Sequence, residues 1–185
     1  MEMDQLLQGS VSAKESLLIV AGSEEYQDTK TEVIEHLSNE DLSGVYVAVD
    51  KPYESLTNDL ENQNIETSDI FFLDAISKDQ GINKTNNPKD QQNVVFLESP
   101  QNLTDLSISL AEAVKFIEGE KYILIDSLSG LAVHNQEKTL TKFVKFIENK
   151  RRKWDIAGFM FVLSNETDDL MFSQIRSICD KEIRV

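Results

Sequence analysis

The chain has 185 residues, 40% of them hydrophobic, which is enough for one domain with a sizeable core. Its net charge of −15 argues against nucleic acids and anionic membranes as partners, because both attract clustered Lys and Arg side chains. The single cysteine, Cys179, permits no internal disulfide and lies in an apolar stretch, so we expect a buried thiol in a reducing compartment. The N-terminus lacks a basic start, and no apolar run is long enough to span a bilayer, which predicts a cytoplasmic protein.

Short apolar runs alternate with amphipathic segments along the chain. Residues 1–16 are weakly patterned and are expected to form a tail with room for one short helix, whereas 17–185 are expected to form one domain. The predicted strands are residues 17–21, 45–49, 70–73, 94–97, 122–125, 159–163 and a short edge strand at 183–185. Because most of these runs are apolar throughout, we predict an α/β fold in which helices cover both faces of a mostly parallel sheet.

Three amphipathic helices are predicted from apolar residues at helical spacing. Asn102 is a predicted N-cap of the first helix, and residues 167–169 carry acids that suit the start of the third. The apolar faces consist of Leu103, Leu106, Leu110, Val114 and Ile117 in the first helix, of Leu140, Phe143, Val144 and Ile147 in the second, and of Leu170, Met171, Ile175 and Ile178 in the third.

Residues 77–93 interrupt the alternation. The segment is polar, contains Gly81 and Pro88, and has one apolar residue, Ile82. It is too polar for a core helix and long for a connection, so we predict a mobile loop that is either a simple insertion or a binding element.

The turn after the first strand departs from the phosphate-loop pattern G-x-x-x-x-G-K-[ST]. Residues 21–31 read AGSEEYQDTKT, so Lys30 and Thr31 fit the pattern while its two glycine positions hold Glu24 and Thr29. A turn without those glycines cannot easily adopt the positive φ angles that point successive N–H groups at a phosphate. Lys30 and Thr31 are then either remaining contacts to phosphate and magnesium or the first turn of an ordinary helix.

Acidic side chains in the same turn also disfavour a polyanion. Glu24, Glu25 and Asp28 lie where phosphates would sit. At an effective dielectric of ~20, one such contact at ~4 Å is worth about 4 kcal/mol of repulsion before screening.

The order and spacing of several segments resemble the RecA-like ATPase family, in particular the KaiC-like proteins of archaea. The resemblance covers residues 16–185. It is carried by the segments 44–56, 70–77, 98–104 and 122–131 and by the helix through Lys142 and Phe143. It implies a single-domain RecA-like P-loop NTPase fold with a degenerate Walker A loop.

The resemblance also assigns roles to individual residues. Asp126 takes the position of the Walker B acid, which would hold a magnesium-bound water, or it is simply a polar residue at the end of a strand. Asn165 follows the strand where the family senses the γ-phosphate, with a helix cap as the alternative. Asp50, followed by Lys51, stands where a glutamate pair is common, so it is only a weak candidate for the catalytic base.

These departures predict a catalytically inactive RecA/KaiC-like domain that serves as a regulatory or protein-interaction module in archaeal signalling, without a cofactor. The expected partner is a protein, either another RecA-like subunit or a second copy. One basic cluster, residues 150–153, suits a helix end or a docking role. The alternative is a protein that binds or hydrolyses ATP with magnesium through Lys30, Thr31, Asp126 and Asn165.

Overall fold

A computed structural model describes residues 2–40, 42–82, 93–166 and 170–185. The elements in chain order are α1 (Glu2–Ala13), β1 (Ser16–Ala21), α2 (Tyr26–Asn39), β2 (Ser43–Ala48), α3 (Tyr53–Asn62), β3 (Ile70–Asp74), β4 (Val94–Phe96), α4 (Leu103–Phe116), β5 (Lys121–Asp126), α5 (Leu128–His134), α6 (Glu137–Trp154), β6 (Ala157–Leu163), a 3-10 turn (Ser164–Glu166), α7 (Leu170–Ile178) and β7 (Lys181–Arg184). Within these ranges, no helix is long and apolar enough to cross a membrane.

The seven strands form one sheet in the order β4-β3-β2-β5-β6-β1-β7, and every pairing is parallel. The predicted parallel α/β sheet is therefore confirmed. All six residues of β1 are buried, as expected for a strand that is covered on both faces. Because all strands run in one direction, the residues that follow β1, β2, β5 and β6 meet at the same edge of the sheet.

Helices cover both faces of the sheet. Alternate side chains of β1 separate the two cores: Leu17 and Ile19 pack on the side of α1, α2 and α3, whereas Leu18 and Val20 pack on the side of α4, α5, α6 and α7. The protein is thus a three-layer sandwich with two apolar cores.

The predicted helices begin and end close to the expected residues. Asn102 caps α4, and its side-chain oxygen accepts a hydrogen bond from the Asp105 backbone N–H at 3.1 Å. The third predicted helix is α7, and its expected start at residues 167–169 lies outside the described residues.

Two further predictions concern the N-terminal segment and the polar loop. Residues 1–16, expected to be a tail with at most a short helix, include the 12-residue helix α1, in which Met3 and Leu7 are buried against α2 and the sheet. Weak patterning reflects the few apolar contacts that this helix makes. Of the predicted loop 77–93, residues 83–92 lie outside the described residues.

The basic cluster at residues 150–153 is divided between the core and the surface. Arg151 is fully buried, and its guanidinium donates to Glu148 at 3.0 Å and to Asp180 at 2.6 Å, near the amino ends of β1, β6 and β7. It also donates to the backbone carbonyl of Ile156 at 3.0 Å. Arg151 therefore stabilises the fold and is not available for the docking role that the cluster allowed.

Candidate functional site

A cluster of four polar side chains lies at the carboxyl edge of the sheet. Asp126 ends β5, Tyr46 comes from the adjacent strand β2, and Tyr26 and Lys30 project from the first turns of α2. β6 separates β1 from β5, so the side chains of Tyr26 and Lys30 reach across that strand to Asp126. Phe161 of β6 packs edge-on against the Tyr26 ring, with ring centroids 5.8 Å apart.

Asp126 accepts hydrogen bonds on both carboxylate oxygens. Its Oδ1 accepts from the Tyr26 hydroxyl at 2.7 Å. Its Oδ2 accepts from the Lys30 Nζ at 3.0 Å and from the Tyr46 hydroxyl. Since a carboxylate has about four lone-pair directions, three of them are used by neighbours from this chain.

The cluster is buried as well as hydrogen-bonded. Lys30 is 4% exposed and Asp126 is 1% exposed, so the ion pair between them lies out of contact with bulk solvent. Burial, and then the negative charge of Asp126, raises the pKa of Tyr26 and of Tyr46 well above the usual tyrosine range. Both hydroxyls therefore stay protonated and act as donors to Asp126.

Asp50 borders this cluster. Its Oδ2 lies 3.5 Å from the Tyr26 hydroxyl. Loss of hydration raises the pKa of Asp50, a hydrogen bond from Ser127 offsets part of the rise, and the charge of Asp126 adds to it. The residue is exposed, yet its carboxylate faces α5: a Cβ built on Gly130 would lie 2.0 Å from Asp50 Oδ1. Gly130 is thus the residue that allows Asp50 to pack here.

The turn between β1 and α2 is covered by its own glutamate. A Cβ built on Gly22 would lie 2.3 Å from Glu25 Oε2, so this carboxylate folds back over the glycine. Glu25 is also the N-cap residue of α2 and makes no side-chain cap hydrogen bond. A negative charge therefore already occupies the positive end of the α2 dipole.

The structure brings together some of the predicted site residues and separates others. Lys30 and Asp126 are in direct contact, and Asp50 lies beside them. The Thr31 hydroxyl donates to the Gln27 carbonyl at 2.9 Å, within α2, so Thr31 is not part of the cluster. Asn165 lies in the 3-10 turn after β6 with its side chain exposed.

Sequence reasoning missed the two tyrosines. Tyr26 lies four residues before Lys30, a spacing that puts both on one face of a helix. Tyr46 lies in an apolar strand, where a buried hydroxyl needs a partner. Either observation could have drawn attention to a polar cluster, although neither identifies Asp126 as its centre.

The groups that the resemblance assigns to phosphate and magnesium are already paired within the chain. Within the described ranges, no three His, Cys, Asp or Glu side chains come together as a metal site. Lys30 donates to one carboxylate oxygen of Asp126, and Tyr26 donates to the other. The only cysteine is equally unsuited to chemistry, because burial raises the pKa of Cys179 to about 12.

Three solved archaeal structures share this architecture. The chain is similar to a KaiC-like protein from Pyrococcus horikoshii (TM-score 0.66, 12% identity, covering 93% of this chain and 71% of the other). It is similar to an uncharacterized protein from the same organism in complex with an unknown peptide (TM-score 0.71, 14% identity, covering 92% of this chain and 77% of the other). It is also similar to the flagellar accessory protein FlaH from Methanocaldococcus jannaschii (TM-score 0.63, 12% identity, covering 100% of this chain and 76% of the other). The architecture is therefore the RecA-like α/β fold of archaeal KaiC-like and FlaH-type proteins.

The sequence comparison is more specific about the family. The chain belongs to the family of unknown function DUF7504, which it matches over residues 15–185. It matches no curated protein.

Proposed function

We propose that this protein is a catalytically inactive RecA/KaiC-like domain that works as a regulatory or protein-interaction module. One observation carries the proposal. Asp126 and Lys30, the two charged groups with which a nucleotide site of this fold would be built, are buried and paired with each other and with two tyrosines.

The energetic consequence of this pairing supports the absence of nucleotide chemistry. For Lys30 to reach a phosphate, the buried ion pair with Asp126 would have to break, so a nucleotide would have to replace contacts that the protein already makes. Glu25 at the start of α2 adds repulsion at the same end of the helix.

The proposed role in protein interactions rests on the fold and on the charge of the chain. One structural neighbour, the uncharacterized P. horikoshii protein, was solved with a bound peptide, which makes a protein ligand a reasonable partner for this fold. A net charge of −15 favours such a partner over nucleic acid or a membrane. We propose a cytoplasmic role in archaeal signalling on this basis, without a cofactor.

The alternative function uses the same two residues. The contact of 3.0 Å between Lys30 and Asp126 keeps a cation and a carboxylate together at the carboxyl edge of the sheet, where this class of fold holds its ligands. The alternative is therefore an ATP-binding protein with a non-standard phosphate loop, in which magnesium-ATP displaces Tyr26.

Calorimetric titration of magnesium-ATP into the full chain separates the two functions. The proposed inactive domain gives no binding heat at nucleotide concentrations up to about 1 mM, where a site with Kd ~1 μM would be saturated. Asp126→Asn removes the central carboxylate of the cluster. Thr31→Ala is its control, because Thr31 lies outside the cluster.

Magnesium-dependent heat that Asp126→Asn abolishes would overturn the inactive assignment and support the alternative. If Thr31→Ala also abolished it, α2 would have to reorganise on binding. Light scattering and affinity capture with the full chain test the proposed role in protein interactions. That role is contradicted if the protein neither self-associates nor retains a partner.

A further inference from the structure

Positive charge is concentrated in one helix of this acidic protein. Seven of the 18 Lys and Arg residues lie in α6, together with two of the 33 Asp and Glu residues. The helix therefore carries a net charge of +5, and the rest of the chain carries −20. Because Arg151 and Glu148 are buried and paired with each other, this excess is carried by residues of α6 that reach the surface.

Four lysines form a row along the outer face of α6. We call the basic stripe the exposed lysines that follow the spacing i, i+4, i+7 and i+15, which are Lys138, Lys142, Lys145 and Lys153. At about 100° per residue they fall within an arc of about 80°, and the row extends for about 22 Å along the helix. Among the described residues, none of the four has an ion-pair partner. The basic stripe is therefore free to meet carboxylates of another molecule.

Neither helix stability nor solubility explains the basic stripe. Lys138 is the second residue of α6, at the positive end of the helix dipole, where a cation is unfavourable. Lys142 follows Lys138 by four residues and precedes Lys145 by three, so neighbours of like charge repel each other and destabilise the helix. A surface that only keeps a protein in solution intersperses both signs, whereas this row has one sign. These costs are expected of a surface that binds a ligand.

An aromatic side chain lies beside the basic stripe. Phe146 follows Lys145 in α6 and is 43% exposed, and the Lys150 ammonium lies 5.5 Å from its ring centroid. Aromatic residues are enriched at protein–protein interfaces, where they pack against apolar side chains. The phosphates of a nucleic acid duplex offer such a ring no contact. Phe146 therefore favours a protein as the ligand of this face.

The charge of the remaining surface limits the length of the ligand. A duplex carries one negative charge per ~1.7 Å and would continue past both ends of the basic stripe, where the rest of the chain, at −20, repels it. A short acidic segment can end where the basic stripe ends. A row of about 22 Å corresponds to about 15 residues of helix or about 7 residues of extended chain.

We propose that the basic stripe and Phe146 bind a short acidic segment of a different protein, with its carboxylates on the lysines and an apolar side chain on the ring. This inference rests on the proposed role in protein interactions and names the chemistry of the partner. It uses no residue of the Asp126 cluster. Exposed charges are screened by salt, so the lysines are expected to contribute less at high ionic strength, whereas the contact with Phe146 persists.

Two synthetic peptides of about 16 residues serve as probes. One carries glutamates at the spacing of the basic stripe, with a leucine next to the third glutamate. The other has the same composition in an order that spreads the glutamates around the helix. Fluorescence anisotropy with the full chain at about 0.1 M salt is expected to show that the wild type binds the patterned peptide at least ~5-fold more tightly than the scrambled one.

Two variants test the two parts of the surface. The triple variant Lys138→Gln, Lys142→Gln and Lys145→Gln is expected to weaken binding of the patterned peptide at least ~10-fold at about 0.1 M salt. Phe146→Ala is expected to weaken it ~3-fold or more, both at this salt concentration and at about 0.5 M. Circular dichroism confirms that each variant is folded.

A matched control removes three positive charges outside α6. Lys14, Lys51 and Lys78 each pair with a carboxylate of this chain, so they are already neutralised. Changing these three lysines to glutamine alters the net charge as much as the triple variant does. Binding of the patterned peptide is expected to stay within ~2-fold of the wild type.

The proposal is overturned if the wild type does not distinguish the two peptides at concentrations up to about 1 mM. It is equally overturned if the triple variant or Phe146→Ala binds the patterned peptide as tightly as the wild type does. Duplex DNA or anionic vesicles that bind more tightly than the peptide, and only through the three lysines, would assign the basic stripe to a polyanion instead. Self-association that only the triple variant loses would assign it to a second copy of the chain.

Affinity capture distinguishes failure of this proposal from failure of the proposed function. A partner that the wild type and the triple variant retain equally would leave the role in protein interactions intact and would overturn only its assignment to α6. Magnesium-ATP binding concerns the Asp126 cluster, and none of these results bears on it.

Discussion

Asp126 illustrates how strongly one buried charge depends on its neighbours. Its side chain is buried beside Lys30, Tyr26 and Tyr46, and water cannot replace any of these partners without entering the core. A surface ion pair of the same length is formed by Lys14 and Glu120, also at 3.0 Å, with side chains that are 22% and 66% exposed. The two pairs differ in hydration, and hydration decides what each contributes to stability.

Asp126→Asn is therefore expected to destabilise the protein by about 3–5 kcal/mol, because Lys30 would be left buried without its counter-charge. Glu120→Gln, the matched change at the surface pair, is expected to cost about 0–1 kcal/mol. Urea unfolding at neutral pH measures both free energies. Equal effects would show that the Asp126 cluster is hydrated in solution.

At the scale of elements, α6 approaches β6 closely because of one glycine. A Cβ built on Gly158 would lie 2.6 Å from Cδ of Arg151, whose guanidinium is held by Glu148, Asp180 and the Ile156 carbonyl. The side chain of Arg151 has no room to retreat. The turn between β1 and α2 offers a contrast, since the group closest to Gly22 is the exposed carboxylate of Glu25.

Gly158→Ala is expected to destabilise the protein by about 1–3 kcal/mol through overpacking against Arg151. Gly22→Ala makes a nominally closer contact, yet it is expected to change stability by less than ~0.5 kcal/mol, since Glu25 can swing into solvent. Thermal unfolding of both variants gives the comparison. A larger effect at Gly22 would mean that Glu25 is fixed in place and that the turn is rigid.

For the whole molecule, three buried tyrosines and one buried cysteine limit stability at alkaline pH, because burial raises their pKa values. Burial raises the pKa of Tyr26, Tyr46 and Tyr122 above the usual tyrosine range, and that of Cys179 to about 12. The unfolded chain releases these protons at lower pH than the native protein does. Rising pH therefore favours the unfolded state.

The free energy of unfolding is expected to fall by about 1.4 kcal/mol per pH unit above pH ~8.5 from Cys179 alone. Above pH ~10 the three tyrosines add about 4 kcal/mol per unit. Urea unfolding between pH ~8 and ~10.5 measures these slopes. Tyr122→Phe, outside the Asp126 cluster, should remove about 1.4 kcal/mol per unit from the steeper slope. Stability that does not change over this range would contradict the prediction.

Apolar patterning predicted most of the architecture. Residues 17–21 of β1 and 122–125 of β5 are apolar without alternation because helices cover both faces of these strands, so the parallel sheet could be inferred from the apolar pattern. The N-cap at Asn102 was predictable because capping involves neighbours three residues apart. One short helix was expected within residues 1–16, and α1 is longer than expected, with Met3 and Leu7 as its buried apolar residues.

The sequence by itself therefore determined the strands, three of the helices, the parallel α/β class and the positions of Lys30 and Asp126, because these follow from local periodicity and motif spacing. Only the tertiary structure decided what those residues contact. Tyr26 and Tyr46 lie 100 and 80 residues before Asp126. Tyr46 meets it because β2 adjoins β5, and Tyr26 meets it because β1, which precedes α2, lies only one strand further away, beyond β6. Arg151 and its neighbour Arg152 look alike in sequence, yet successive helical residues point about 100° apart, so one is buried and the other exposed.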